Sequence, residues 1–129
     1  MPFERERHIL VVEDEEDFGE TLRRVLVREG YRVGLAKNGK EALKALGEER
    51  YDLIITDLVM PEMGGMGFLK EVRARRFSLP VIMITAYGDW TSYAEALALR
   101  ASDFLSKPLA MADLLLAVKK VFDREEPLC

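Results

Sequence analysis

Two stretches, Ile9-Leu10-Val11-Val12-Glu13-Asp14 and Leu53-Ile54-Ile55-Thr56-Asp57, decide the fold. Each is a short run of branched apolar residues that ends in carboxylates. A strand with one wet face alternates apolar and polar residues. An unbroken apolar run therefore suits a strand covered on both faces, as in a parallel sheet. The same texture recurs at Val81–Thr85, the first run opens at His8, and shorter runs stand at Arg32–Ala36 and 104–106. Between these runs lie longer segments with helical spacing. Phe18, Leu22, Val25 and Leu26 form the first apolar face. Asn38-Gly39-Lys40-Glu41 reads as a capping box that opens a second helix carrying Ala42, Leu43, Ala45 and Leu46. Phe68, Leu69 and Val72 mark a third, Ala96, Leu97 and Ala101 a fourth, and Leu114, Leu115, Val118, Val121 and Phe122 a fifth. Five strand–helix repeats joined by right-handed crossovers predict a doubly wound α/β domain: one five-stranded parallel sheet with five helices. A closed eight-fold barrel needs about twice this length.

The 129 residues amount to one domain on the usual scale of ~100–200 residues. An apolar content of 49% with 33% charged residues is that of a globular protein. No apolar run approaches bilayer length. Met1-Pro2-Phe3-Glu4-Arg5 carries charge where a signal peptide has its apolar segment, so the expectation is a cytoplasmic protein without membrane contact. A net charge of −4 offers no footprint for direct nucleic-acid binding. Arg73, Arg75 and Arg76, like Lys119 and Lys120, stand near the ends of predicted helices, where cations complement the dipole. A single Cys (Cys129) and a single His (His8) exclude an internal disulfide and a His/Cys zinc site. His8 reads as an exposed strand start without a partner, and Asp52 and Asp103 as structural residues preceding strands. Met60, Met63, Met66 and Met83 read as core and filler. Trp90 is left open between a packed lid and an exposed contact.

Ligands of open parallel sheets bind beyond the carboxyl ends of the strands. There the sequence places Glu13 and Asp14 after strand one, with Glu15, Glu16 and Asp17 behind them, Asp57 after strand three, Thr85 after strand four and Lys107-Pro108 after strand five. Carboxylates gathered this closely repel one another and call for a cation. Donors that are all oxygen favour a hard ion, Mg²⁺ best of all. A lysine and a hydroxyl beside a metal-binding carboxylate are what a phosphoryl group needs, and a carboxylate can itself serve as nucleophile, forming an acyl phosphate.

At these residues the sequence resembles the receiver domain of two-component response regulators. The resemblance runs from about His8 to Phe122. It is carried by Ile9-Leu10-Val11-Val12-Glu13-Asp14-Glu15, Asp57-Leu58-Val59-Met60-Pro61-Glu62-Met63-Gly64-Gly65, Ile84-Thr85-Ala86 and Asp103-Phe104-Leu105-Ser106-Lys107-Pro108. It implies a flavodoxin-like sheet of order 2-1-3-4-5, with a domain over residues 6–124 and short flanking tails at 1–5 and 125–129. It further implies that Asp57 accepts a phosphoryl group from a histidine kinase or phosphotransfer protein. Asp14, Asp57 and the backbone carbonyl of Val59 would ligate Mg²⁺, and Glu13 would act through a water. Thr85 and Lys107 would hold the phosphoryl oxygens, Phe104 would be the aromatic switch, and Lys107-Pro108 a cis peptide. Such a protein is not a metabolic enzyme; it catalyses only its own phosphorylation and dephosphorylation. A phosphate adds roughly −1.5 to −2 charge at Asp57 and would reshape the face built from the fourth helix, fifth strand and fifth helix. The chain would act alone or as the N-terminal part of a transcriptional regulator. Three positions depart from the common pattern: Glu13-Asp14 replaces Asp-Asp, Phe104 replaces Tyr, and Ala110 stands where Asp or Ser usually caps the last helix.

Other classes fit less well. Gly64-Gly65-Met66-Gly67 is not a dinucleotide fingerprint and follows the wrong strand. An aspartate-nucleophile phosphohydrolase, the alternative reading, needs a second Asp where Val59 stands. A flavin-binding module needs a phosphate cradle where the acids at 13–17 would repel one. Ala112 and Leu116, projecting away from the Leu114/Leu115/Val118 face with Leu97 and Leu99 nearby, form a candidate patch for a two-fold homodimer or for a target.

Overall fold

The computed structural model describes residues 6–57, 65–75, 78–85 and 98–125. Five strands, β1 (His8–Val12), β2 (Arg32–Ala36), β3 (Leu53–Asp57), β4 (Val81–Thr85) and β5 (Asp103–Ser106), form one sheet in the order β2-β1-β3-β4-β5. Every neighbouring pair is parallel. Four helices are described: α1 (Glu16–Arg28), α2 (Gly39–Glu48), α3 (Gly65–Ala74) and the C-terminal α4 (Met111–Glu125).

Alternate residues of the unbroken apolar strands feed two separate cores. Ile9 and Val11 of β1, Leu53 and Ile55 of β3, and Ile82 and Ile84 of β4 face Leu22 and Leu26 of α1 and Leu114, Val118 and Val121 of α4. Leu10, Val12, Ile54, Val81 and Met83 face the other way, onto Leu43 and Leu46 of α2 and Phe68, Leu69 and Val72 of α3. All five residues of β1 and of β3 are buried. Each fully buried Leu or Ile contributes about 1.5–3 kcal/mol, so the central strands are the most firmly held part of the domain.

Local signals set the helix ends. Asn38 accepts the Glu41 N–H at 2.8 Å, while the Glu41 carboxylate reaches back to the Lys37 N–H at 3.0 Å, one residue earlier than a standard capping box. α1 stops before Gly30, whose φ of +98° favours glycine, with the Gly30 and Tyr31 N–H groups closing on the carbonyls of Val27 and Leu26.

Several expectations need correction. His8 is not exposed: it is buried, its ring stacks on Tyr51 at 4.0 Å, and its Nδ1 donates to the Arg50 carbonyl at 2.9 Å. Parallel pairing of β1 with β3 brings these distant residues together. Asp103 does not precede β5 but begins it, its carboxylate accepting the Phe104 N–H at 2.8 Å. Ala101 is not helical: Ala98 is in helix, the chain then turns, and Arg100 adopts a left-handed φ of 64°. Arg73 does more than complement a dipole, since its guanidinium donates to the carbonyls of Leu79, Leu99 and Arg100 at 2.9, 3.0 and 3.2 Å. Ala96, Leu97, Trp90, Met60, Met63 and Val59 lie outside the described residues, as does the side chain of Met66.

Candidate functional site

The parallel register delivers the chemistry to one edge. β1 ends at Val12 and the chain turns into α1, whose first turn carries Glu16 and Asp17. Glu13 continues the direction of β1, its N–H donating to the Ala36 carbonyl at 2.9 Å, and is buried, whereas Asp14 is exposed. The Glu13 carboxylate turns back to accept the Glu15 N–H at 3.0 Å. Asp57 is the last residue of β3 and is only 6% exposed, so β3 runs one residue past its apolar run and buries a carboxylate at its tip. One carboxylate oxygen from each of Glu13, Asp14 and Asp57 lies within 4.8 Å of the others.

Among the described residues, Lys107 brings a cation to this cluster. The Lys107 ammonium donates to Asp57 Oδ2 at 2.7 Å and stands 4.0 Å from Glu13 Oε1. Burial works against the charge on Lys107, but the hydrogen bond to Asp57 and the nearby Asp57, Glu13 and Glu15 carboxylates outweigh it and raise its pKa. The carboxylates also act on one another. Burial, followed by the charge of Asp57, pushes Glu13 up from 4.5 to about 7, against the pull of the Glu15 N–H and Lys107. Lys107 also sits 4.9 Å from the centroid of the Phe18 ring.

The remaining expected residues are placed as follows. Thr85 ends β4 and pairs with Ser106, one residue before Lys107. The Lys107–Pro108 peptide bond is cis. Phe104 lies opposite Met83 in the register, half-buried against the core on the α2/α3 side. Beside the carboxylates runs a groove of about 350 Å³ between α1 and the turn after β2, lined by Glu13, Asp14, Gly19, Leu35, Lys37 and Glu41. Sequence reasoning assigned Phe18 to the core alone. Its place in the first turn of α1, the helix that follows directly on the acids at 13 and 14, was the available signal that it lies near the site.

The donor set consists of carboxylate oxygens without His or Cys, and it carries excess negative charge. It fits a hard divalent cation.

A doubly wound sheet of order 2-1-3-4-5 with acids and a lysine at its carboxyl edge defines a class, the receiver domains. Residues 9–119 match the response regulator receiver domain family, and the chain belongs to it. It is a receiver domain of a two-component response regulator, a signalling domain rather than a classical enzyme. Among curated relatives it is 34% identical over 119 residues to the response regulator MprA of Mycolicibacterium vanbaalenii, covering 92% of this chain and 52% of that protein. It is 36% identical over 120 residues to the probable transcriptional regulator ycf27 of Cyanidium caldarium, covering 93% of this chain and 48% of the relative. The chain thus spans about half the length of these relatives. Among solved structures, the non-phosphorylated HemR receiver domain of Leptospira biflexa superposes with a TM-score of 0.87 at 29% identity, covering 96% of this chain and all of the other. Among the described residues, no helix is long and apolar enough to cross a membrane.

Proposed function

We propose that Asp57 is the phosphoacceptor, taking its phosphoryl group from a histidine kinase or a phosphotransfer protein. The observation that carries this reading is the contact of Lys107 Nζ with Asp57 Oδ2 at 2.7 Å, inside a cluster of three carboxylates. An Asp57 carboxylate oxygen attacks phosphorus, the P–O bond forms as the P–N bond of phosphohistidine breaks, and the bonding pair leaves on the imidazole nitrogen. Lys107 then turns from the carboxylate to the phosphoryl oxygens, joined by Thr85 from the end of β4. Water later attacks the acyl phosphate and returns the carboxylate and inorganic phosphate. In this sense the chain catalyses only its own phosphorylation and dephosphorylation.

Asp14, Asp57 and the carbonyl of Val59 would hold Mg²⁺, with Glu13 acting through a water. When bound, the ion supplies positive charge against the phosphoryl oxygens. The phosphate brings about −1.5 to −2 charge to the β3 tip, and Phe104 relays the change to the face around β5 and α4. Leu116 is 53% exposed on α4 and Ala112 lies exposed beside it, which supports a homodimer through this face. Leu99, by contrast, packs onto the α2/α3 core, so the patch is narrower than its sequence suggested. We read the protein as cytoplasmic and this domain, with its net charge of −4, as making no direct contact with nucleic acid.

The test is labelling by acetyl phosphate. The label should require a divalent ion, be lost in hydroxylamine and in strong base, and vanish in Asp57→Asn. Labelling of Asp57→Asn, or labelling unaffected by chelator, would overturn the assignment.

A further inference from the structure

Phe18 fills a helical face position as an ordinary core residue does, yet it is only half-buried, and its ring faces the ammonium of Lys107 at 4.9 Å. Its other flank packs onto the α1/α4 core. The ring is therefore fixed by the fold, whereas the lysine is a point charge on a flexible four-carbon stem, with a third of its side chain exposed. We propose that Phe18 is a positioning residue for phosphorylation. It holds the Lys107 ammonium against the Asp57 carboxylate, and later against the phosphoryl group, by a cation–π contact. This deepens the reading of Asp57 and Lys107 given above and rests on it.

The chemistry of a ring suits this task better than another carboxylate would. A third anion in contact with Lys107 would take up one of its three N–H donors and compete with the phosphoryl oxygens. An aromatic face attracts the cation through its quadrupole and leaves those donors free to point at Asp57. The ring also shields one flank of the ammonium from water, which strengthens the pull of Asp57 on the other. Glu13, 4.0 Å away, cannot replace it without drawing the ammonium off Asp57.

The test uses the whole chain, with Phe18→Leu and Phe18→Trp made in the native and Lys107→Met backgrounds. Two readouts are taken. The first needs no ligand: NMR of the metal-free protein should show the Lys107 ε-methylene protons shifted upfield by the ring. That shift should be lost in Phe18→Leu and kept in Phe18→Trp. The second is titration with beryllofluoride in the presence of Mg²⁺. Phe18→Leu should weaken binding about threefold to tenfold, and Phe18→Trp should hold it within about twofold. In Lys107→Met, adding Phe18→Leu should change nothing further. An unshifted Lys107 in the native protein, native-like binding by Phe18→Leu, or an equal loss in the Lys107→Met background would overturn the proposal. A native protein that neither takes label at Asp57 nor binds beryllofluoride would refute the functional reading itself.

Discussion

The two ends of the sheet bury polar side chains on opposite terms. At the amino end, His8 is stacked on Tyr51, its ring donates to the Arg50 carbonyl, and its N–H donates to Asp52 at 2.8 Å while the Asp52 N–H returns to the His8 carbonyl at 2.7 Å. Each of these donors meets an acceptor, so the arrangement is complete within the chain. At the carboxyl end, Glu13 and Asp57 are as buried as His8, but they are like charges held close together, with the Lys107 ammonium beside both. Burying a satisfied polar group is nearly neutral, whereas burying like charges is destabilising. The amino end is built to hold the strands in register. The carboxyl end gathers like charges that call for a cation.

The largest effect should come from breaking the satisfied end. His8→Ala removes a stacked ring from a buried site and should cost about 2–4 kcal/mol in a urea titration. The loss should be of similar size with and without Mg²⁺. A cost below about 0.5 kcal/mol would place His8 back among ordinary surface residues.

The end that gathers like charges should respond with the opposite sign. Glu13 has its pKa raised from 4.5 to about 7, chiefly by burial. In chelator, the folded protein therefore holds a proton that the unfolded chain has released between these values. The stability this gives is complete below about pH 4.5 and lost as pH rises through about 7. Glu13→Gln keeps an acceptor for the Glu15 N–H but carries no charge. It should stabilise the metal-free protein by about 1–2 kcal/mol at pH 8 and flatten the decline between pH 5 and 7. Saturating Mg²⁺ should recover much of that loss in the native chain and less of it in Glu13→Gln. A native protein whose stability rises across this range would show that the carboxylates are not in conflict.

The contrast between the ends also explains what the sequence disclosed. The strands were legible because unbroken apolar runs such as Ile9-Leu10-Val11-Val12 have few other uses. The site residues were legible because each stands directly after such a run. What escaped depended on pairing across the sheet. Nothing near His8 in the chain advertises a partner, since Arg50, Tyr51 and Asp52 lie more than forty residues on and arrive only because Ile9 pairs with Leu53. Phe18 escaped for a related reason: a helical apolar position announces burial but not which neighbour covers it. Ala101 reads as helical because it continues the apolar period of Ala96 and Leu97, whereas Arg100 takes a left-handed φ and its carbonyl accepts from the Arg73 guanidinium of α3, a partner far off in the sequence.

The smallest expected effect tests how far the excess negative charge extends. α4 begins at Met111, and the Asp113 and Leu114 N–H groups close on the Ala110 carbonyl at 3.0 and 3.2 Å, which places Ala110 at the N-cap. Its methyl group cannot accept a first-turn N–H, whereas Asn38 does so for α2. Ala110→Ser and Ala110→Asp supply an acceptor and should each stabilise the domain by about 0.5–1 kcal/mol, read as a higher urea midpoint at unchanged slope. Ser and Asp are near-equal caps in general, so the difference between them isolates charge. The helix dipole favours Asp, and the carboxylates at the same edge of the sheet oppose it. In chelator above pH 7, with Glu13 ionised, Asp should therefore gain less than Ser, and Mg²⁺ should close the gap. Equal gains under all conditions would confine the charge conflict to Glu13, Asp14 and Asp57. No gain from either variant would show that the first turn of α4 needs no side-chain cap.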